Sequence, residues 1–281
     1  MLYDSHTHLN EKDFTDEERA QFIADADAAA KSGLLTYVND VAYDMPSSFM
    51  AIEHAEEYPW CYAIIGVHPA DTPTMTEADI DTLRNLAKEH DKVVAIGEIG
   101  LDFHYEDMDE EKQLYWFRRQ IQLANELHLP IAIHSRDANQ LTMDVLKEEG
   151  AFSDERKSWF PKRIGPDGRE EPDARVLLHC FSGSRELGRQ YVALGATLSM
   201  AGPVTFKNNR RGKEVAEAIP IQYLLVETDA PYLAPEPMRG RQNCPAYVEH
   251  TCRKVAELKG ISFEEAAEIT LNNAVRFFNI K

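Results

Sequence analysis

Short apolar runs alternate along the chain with longer stretches in which apolar residues recur at helical spacing. The runs are rich in branched aliphatic residues, which is typical of buried strands. The eight predicted strands are Leu2–His6, Leu35–Val41, Cys61–Val67, Val93–Glu98, Pro130–His134, Arg175–Cys180, Ala196–Met200 and Tyr223–Glu227. The predicted helices between them include Asp16–Lys31, Glu77–His90, Glu110–His128 and Ala138–Glu149. This alternation predicts a parallel sheet with crossover helices.

Eight such repeats favour two architectures, a closed (β/α)8 barrel and a doubly wound open sheet, and periodicity alone leaves both open. The C-terminal stretches Pro245–Leu258 and Phe263–Phe278 predict a helix pair, and Ser262 with Glu265 resembles a capping box. A barrel commonly spans about 250 residues as one domain. We therefore expect residues 1–281 to form a single domain.

One stretch, Ala151–Ala174, is irregular and contains several glycines, prolines and charges, which predicts a long loop. It follows the fifth predicted helix and precedes the sixth predicted strand. Such a loop lies on the face opposite the carboxyl ends of the strands. We expect it to be dispensable for any chemistry at those ends.

The composition, 43% hydrophobic and 28% charged, is that of a globular protein, and the formal net charge is −18. A broad basic surface for nucleic acid is excluded, so any contact with nucleic acid must be local. The four cysteines are scattered, which indicates reduced thiols. The N-terminus has no leader pattern, and no apolar run is long enough to cross a bilayer, so we expect a cytoplasmic protein with no membrane partner.

Polar residues of metal-ligating type stand at the ends of several predicted strands. His6 and His8 are two residues apart, so both imidazoles face the same side of an extended chain. In a parallel barrel the carboxyl ends of the strands form one face, which brings distant residues together. An unpaired cluster of imidazoles and carboxylates is costly to desolvate without a cation. We therefore predict a metal site formed by His6, His8, Glu98, His134, His179 and Asp229.

Six short motifs together resemble the TatD-type deoxyribonucleases of the amidohydrolase superfamily. They are Ser5-His6-Thr7-His8-Leu9, Gly66-Val67-His68-Pro69, Gly97-Glu98-Ile99-Gly100-Leu101-Asp102, Ile133-His134-Ser135-Arg136, His179-Cys180-Phe181-Ser182-Gly183 and Glu227-Thr228-Asp229-Ala230-Pro231. They occur in the family's order over nearly the whole chain. The resemblance implies an α/β fold, the (β/α)8 TIM barrel, with a metal site at the C-terminal ends of the strands.

The resemblance also implies a division of the ligands between two divalent ions, Mg, Mn or Zn. His6, His8, Glu98 and Asp229 would hold one ion, and Glu98, His134 and His179 the other, with Glu98 bridging. Two cations about 3.5–4 Å apart can clamp the attacking and leaving oxygens of a phosphoryl displacement. Asp229 is the candidate base, because a carboxylate in reach of the attacking water can accept its proton.

Further candidates lie beside these motifs. Glu227 either orients a ligand histidine in a catalytic role or is a buried acid paired elsewhere in the barrel. Four residues follow strand ends and are predicted to donate to phosphate oxygens: His68, Arg136, Arg239 and Asn243. His104 is a weaker candidate. We interpret the helix-borne His54, His90, His128 and His250 as surface residues.

The predicted function is a metal-dependent, TatD-like deoxyribonuclease that trims DNA ends, with single-stranded DNA as its partner and a monomeric state. One alternative is another amidohydrolase-superfamily enzyme acting on a small amide, lactone or phosphotriester, because the same metal pair would polarise those bonds. A second alternative is a metal-binding protein without catalysis. The intact ligand set and candidate base argue against it.

Overall fold

The fold is a nearly closed barrel of eight parallel strands, seen here in a computed structural model that describes residues 1–104 and 108–280. Neighbouring strands in the barrel follow one another in chain order. The circle closes where Thr7, at the end of the first strand, forms a parallel bridge with Ala230, just after the last strand. This order confirms the predicted (β/α)8 barrel, because a doubly wound sheet reverses its strand order at a switch point.

The strands are β1 (Leu2–Thr7), β2 (Leu35–Val41), β3 (Cys61–Ile65), β4 (Val93–Asp102), β5 (Ile131–Arg136), β6 (Arg163–Ile164), β7 (Glu170–Glu171), β8 (Val176–Leu178), β9 (Thr197–Met200) and β10 (Leu224–Val226). The helices are α1 (Asp16–Lys31), α2 (Met45–Glu57), α3 (Glu77–Glu89), α4 (Glu110–Leu127), α5 (Asn139–Glu148), α6 (Asp154–Ser158), α7 (Arg185–Ala193), α8 (Arg210–Ala218), α9 (Val248–Lys259) and α10 (Phe263–Phe277). The named helix predictions agree with these bounds to within a few residues. The predicted pair at the C-terminus is α9 and α10.

Strand β4 differs most from its prediction. It continues past Glu98 to Asp102, and every residue in it is buried. Its register against β5 shifts, since Ile96 pairs with Ile131 and Ile99 with Ile133. One extra residue is therefore accommodated around Glu98 as a bulge, which re-aims the side chain there. The sequence analysis ended this strand at Glu98, among the polar residues that follow apolar runs, whereas the structure places Glu98 inside the strand.

The amino end of the barrel is filled by apolar residues. Tyr3, Ile64 and Leu225 from the strands form a buried cluster with Phe277 and Phe278 at the end of α10. The rings of Tyr3 and Phe278 lie 5.7 Å apart. This packing closes the amino end, so the barrel is a filled core rather than a pore.

The irregular 151–174 stretch is more ordered than predicted. It contains the short helix α6 and a two-stranded hairpin of β6 and β7. Within α6, Arg156 is fully buried and donates to the carbonyl oxygens of Ala174 (2.9 Å) and Leu129 (2.8 Å). Both acceptors precede barrel strands, so the segment packs at the amino ends of the strands. Sequence periodicity missed these elements because each is shorter than the window that reveals a period.

Among the described ranges 1–104 and 108–280, no helix is long and apolar enough to span a membrane.

We predict that Arg156→Ala lowers the free energy of unfolding by about 2–4 kcal/mol, because it leaves buried carbonyls without a donor and opens a cavity. Denaturant titration measures the change. The matched control is Arg169→Ala in the same segment, where the side chain is 85% exposed, and its effect should stay within about 0.5 kcal/mol. Equal effects of the two variants would contradict the anchoring role of Arg156.

Candidate metal centre

Strand β1 supplies the first side chains of the centre. Asp4, His6 and His8 alternate along it and point to the same side. All three are buried. Asp4 accepts hydrogen bonds from the backbone N of Thr228 (2.9 Å) and from its hydroxyl (2.6 Å). This contact fixes the segment after β10 against β1, next to Asp229.

Asp229 is placed by the closure of the barrel. Its backbone N donates to the carbonyl of His6 at 2.9 Å, and its φ of +56° turns the chain at that point. One carboxylate oxygen, Oδ1, then lies 3.4 Å from His8 Nε2 and 3.8 Å from His6 Nε2. The side chain is 15% exposed and faces the cleft. Asp229 is therefore buried among imidazoles but reachable from outside.

Glu98 lies at the middle of the cluster. Its Oε1 is 2.7 Å from His134 Nδ1 and 2.7 Å from His179 Nε2. Its Oε2 is 3.3 Å from His6 Nε2 and 3.9 Å from His8 Nε2. The two oxygens of one carboxylate thus face two different pairs of imidazoles.

Polar contacts on the outer side orient the candidate ligand histidines. His8 Nδ1 donates to the carbonyl of Val41 at 2.7 Å, so Nε2 is left to face the centre. His179 Nδ1 lies 3.4 Å from Glu227 Oε1, and its Nε2 faces Glu98. His134 Nε2 contacts Asp102 Oδ2 at 3.1 Å, which leaves Nδ1 facing Glu98. Such outer contacts fix the ring orientation and tautomer of metal-ligating histidines.

Glu227 is fully buried beneath His179. Its Oε1 accepts a hydrogen bond from the backbone N of Cys180 at 2.7 Å, and its Oε2 accepts from the hydroxyl of Ser199. Both interpretations of Glu227 from the sequence therefore describe part of its surroundings. It is paired within the barrel wall, and it also faces a histidine of the centre.

Gly100 allows Glu98 and Asp102 to face the same cluster. The three residues alternate on one side of β4, and a Cβ at Gly100 would lie 1.9 Å from the carbonyl oxygen of His134. Its φ of +151° also disfavours a side chain. Any residue other than glycine would push β4 and β5 apart at this point.

The protonation of the histidines and the ionisation of the carboxylates in this cluster depend on each other. Burial opposes a charge on His8, but its hydrogen bond with Asp229 and the nearby carboxylates outweigh burial and raise the pKa of His8 to about 9. Burial also opposes ionisation of Asp229, yet the hydrogen bond with His8 and the other histidines lower the pKa of Asp229 to about 2. In the absence of a cation, protons on imidazoles balance the buried carboxylates.

The donor set fits metal ions. His6 has both ring nitrogens buried without a hydrogen bond, which is costly unless a ligand satisfies them. Ligand atoms within 4.8 Å of one another occur in three groups: His6, His8 and Asp229; His6, Glu98 and His179; and His68, Glu98 and His134. Imidazole nitrogens with carboxylate oxygens suit zinc, manganese and similar ions.

The four predicted phosphate donors lie in different places. His68 and Arg136 line the cleft of about 610 Å³ above the cluster. Arg239 is exposed outside this cleft, with its guanidinium 4.4 Å from the centre of the Phe206 ring. The structure corrects the interpretation of Asn243, which is 0% exposed and donates to the carbonyls of Thr228 and Tyr232. It holds the loop after β10 and is not placed to reach a substrate.

Two histidines outside the centre also differ in their surroundings. His54, interpreted as a surface residue, is buried, and its Nδ1 lies 2.7 Å from Asp40 Oδ2. A helical position alone could not reveal the partner on β2. The side chain of His104 is exposed and its Nδ1 lies 3.0 Å from Asp137 Oδ2, while its backbone N donates to Asp102 Oδ1 at 3.0 Å.

Sequence reasoning did not single out Asp4, Asp102 or the cleft wall formed by Glu11, Tyr43 and Tyr232. For Asp102 a signal existed, because it stands four residues after Glu98 on the same side of a strand. For Tyr232 there was none, since its contact with Glu11 joins loops more than two hundred residues apart.

Comparison with known proteins identifies similar sequences and structures. The sequence model described as "TatD related DNase" matches residues 3–279. A Bacillus subtilis protein named "Uncharacterized metal-dependent hydrolase YabD" is 42% identical over 280 residues, covering 100% of both chains. An Erwinia tasmaniensis protein named "3'-5' ssDNA/RNA exonuclease TatD" is 33% identical over 286 residues, covering 99% of this chain and 100% of that one. The crystal structure of YJJV, a TatD homologue from Escherichia coli, superposes with a TM-score of 0.83 and 26% identity, covering 100% of this chain and 98% of that one.

We predict that metal binding at pH 7 releases at least one proton, because a cation must displace the proton from His8, whose pKa is raised to about 9. Metal affinity should therefore rise with pH up to about 9, by about tenfold per unit for each proton displaced. Calorimetric titration in buffers of different ionisation enthalpy measures the number of protons released on metal binding. His250→Gln, on the distant helix α9, is the control and should release as many protons as the wild type. Proton uptake on metal binding, or a metal affinity that falls as pH rises from 6 to 9, would refute competition between the proton and the metal ion for His8.

Proposed function

Because this chain belongs to the TatD-related DNase family, we propose that this metal-dependent hydrolase cleaves phosphodiester bonds at the ends of nucleic-acid strands. The proposed substrate is DNA, in single-stranded form, and the proposed mechanism uses two divalent ions. The Glu98 carboxylate carries the proposal, since its two oxygens face separate imidazole pairs. The name of the Erwinia relative, a single-strand exonuclease, supports the choice of substrate.

In this proposal His6, His8, Glu98 and Asp229 hold one ion, and Glu98, His134 and His179 hold the other. The ions, Mg, Mn or Zn, would neutralise charge on the phosphoryl group and acidify the attacking water. Every proposed ligand comes from one chain, so we further propose that residues 1–281 act as a single-domain monomer. A cytoplasmic location stays a prediction from the sequence.

Asp229 is proposed as the general base. Its carboxylate borders the cleft and, when ionised, is in reach of a water bound at the cluster, which is what a general base requires. Asp229 lies at the closure of the barrel, and its side chain, 15% exposed, is more exposed than that of Glu98, at 5%. The bond from its backbone N to His6 holds the carboxylate at a fixed distance from the ligand histidines.

His68 is proposed to donate to a phosphate oxygen. Its Nδ1 accepts a hydrogen bond from the backbone N of Ala70 at 3.1 Å, so the proton of the neutral ring is on Nε2. Burial and the neighbouring His134 lower the pKa of His68 to about 3, which keeps the ring neutral. Nε2 faces the cleft near Glu98, and Arg136 adds a cationic donor on the same lining.

Tyr43 and Tyr232 give the cleft an aromatic wall. Both line it, and both rings lie about 6 Å from the ring of His8, 6.0 and 6.1 Å between centroids. Aromatic faces stack on nucleobases with little sequence preference. A wall of this kind beside the metal cluster suits a terminal nucleotide of any sequence.

We predict that Asp229→Asn lowers kcat by about three orders of magnitude with a near-normal melting temperature, since general-base catalysis is typically worth ~10²–10⁴-fold. Substrate affinity should change far less. His179→Ala should act through loss of metal, so excess divalent ion should rescue it partly. Added metal cannot restore a missing base. Retention of a tenth of wild-type kcat by Asp229→Asn at saturating metal would remove Asp229 from the role of base.

We predict that linear single strands are degraded from an end, whereas the same sequence as a closed circle is cut at least a hundredfold more slowly. The acidic exterior disfavours long tracts of phosphate contact on both sides of the scissile bond. End-labelled and circular oligonucleotides, assayed across several divalent ions, test this. Efficient nicking of circles would reject end trimming. Hydrolysis of small phosphotriesters or lactones without any nucleotide release would favour the alternative substrate class.

A further inference from the structure

The loops around the metal cleft differ in charge from one side to the other. We call the four acids in the loops after β1, β2 and β3 the acidic rim: Glu11, Asp13, Asp44 and Asp71. We call the six cations around the start of α8 and in the loop after β10 the basic strip: Lys207, Arg210, Arg211, Lys213, Arg239 and Arg241. In a circle of eight strands, β3 and β9 are four places apart. The loops after β3 and β9 therefore lie on opposite sides of the cleft, whereas the loops after β10 and β1 are neighbours, and there the strip and the rim meet.

The acidic rim crowds one wall of the cleft. Burial and the charges of Glu11, Asp44 and Asp71 raise the pKa of Tyr43. Lys12 offsets only part of this charge, 3.9 Å from Asp71. A phosphate chain running along this wall would meet repulsion that one lysine does not cancel.

The basic strip lies at the same end of the barrel as the metal centre. Helix α8 follows β9, so its first turn starts near the carboxyl ends of the strands. Asn209 caps that turn by accepting from the backbone N of Gly212 at 2.9 Å. Arg239 stacks on Phe206, and the backbone N of Glu236 donates to Thr205 Oγ1 at 2.8 Å. These contacts join the loops after β9 and β10 into one surface.

Several of these cations have no protein counterion. Arg210 pairs with Glu214 at 2.6 Å, and Arg239 lies 4.0 Å from Glu236. Lys207, Arg211 and Arg241 are exposed, and none of the residues 1–104 and 108–280 forms an ion pair with them. The net charge of the chain is −18, so three unpaired cations beside the cleft make the local surface charge positive where the average is negative.

The strip adjoins the metal centre. Arg211 and Asn209 line a cavity of about 320 Å³. This cavity shares Cys180, Ser182 and Pro203 with the cleft that contains the metal cluster. A strand that leaves the cleft over these three residues therefore reaches Arg211 at the start of α8.

We propose that a single nucleic-acid strand extends from the metal cleft over the basic strip, and that the acidic rim stops it from continuing on the other side. This rests on the proposed function. Only a terminal nucleotide would then reach the metal centre, and the rest of the strand would bind through its phosphates. The arrangement of the loops around the barrel would thus bring the end of a strand, rather than an internal phosphodiester bond, to the metal centre.

The test compares Lys207→Ala/Arg211→Ala/Arg241→Ala with Lys31→Ala/Lys88→Ala/Lys147→Ala. Each variant loses three positive charges, and the second set lies in the last turns of α1, α3 and α5, at the opposite end of the barrel. Both are made in an Asp229→Asn background, and binding of a fluorescent twelve-nucleotide single strand is measured by anisotropy from low to high salt. Melting temperatures show whether each variant is folded.

We expect the strip variant to reduce the slope of log affinity against log salt by about 2, from about 0.7 for each lost phosphate contact on a single strand. Its affinity near 0.1 M salt should fall at least tenfold. The control variant should match the parent. In enzyme with Asp229 intact, the ratio of kcat/KM for the twelve-nucleotide strand to that for a dinucleotide should also fall at least tenfold in the strip variant alone.

Equal slopes of log affinity against log salt in the two variants would overturn the proposed role of the strip. A parent protein that binds no single strand would overturn it as well. If the strand binds with a strip-dependent slope but no divalent ion supports nucleotide release, the strip stands and the proposed hydrolysis fails. A photo-crosslinking nucleotide four positions from the cleaved end should label the peptide of residues 202–213. Labelling of residues 9–15 instead would reverse the proposed path.

Discussion

The arrangement of this molecule depends on one buried carboxylate, Glu98, which is shared by imidazoles from four different segments. A charged acid inside a barrel is unfavourable unless positive charge compensates it. Here that charge is supplied by protons on histidines or by bound cations, and the two compete for the same nitrogen atoms. The bulge in β4 turns the Glu98 side chain toward the interior. Gly100 allows β4 and β5 to approach closely beside it. Stability and metal binding are therefore coupled at one side chain.

Closure of the barrel is what converts separate motifs into one centre. β1 and the segment after β10 are joined by the Thr7–Ala230 bridge and by the two hydrogen bonds that Asp4 accepts from Thr228. Because His6 and His8 lie on one side of this seam and Asp229 on the other, the seam determines the distance between ligand and proposed base. At the opposite end, α10 and the 151–174 segment seal the barrel with aromatic rings and the buried Arg156. The carboxyl end of the barrel thus holds the proposed metal site, and the amino end is packed for structural support.

Net charge and local charge act on different scales. A surface of net charge −18 repels polyanions at long range, and screening shortens that repulsion to roughly 10 Å at 0.1 M salt. Within that distance the sign is set by individual loops, by bound cations, and by the unpaired arginines beside the cleft. The proposed mode of binding uses this difference, since an acidic protein can then hold a strand end while giving little affinity to the middle of a duplex. Such an enzyme would select its substrate by whether a strand end can reach the metal cleft, and not by the identity of the bases.

The sequence alone predicted the alternating strands and helices and the identity of the clustered residues, because alternation of apolar runs and two-residue spacing are local properties that a single chain displays. The choice of a closed barrel over an open sheet came from the resemblance of six motifs to a known family. It indicated His6, His8, Glu98, His134, His179 and Asp229 from their positions near strand ends. Only the tertiary structure decided that Glu98 lies in a bulge within its strand, that Asn243 is buried in a loop contact, and that His54 pairs with Asp40. It also gave the 151–174 segment its helix and hairpin. Each of these depends on partners distant in sequence, whose approach is set by strand register and barrel closure, and no local pattern of residues encodes those distances.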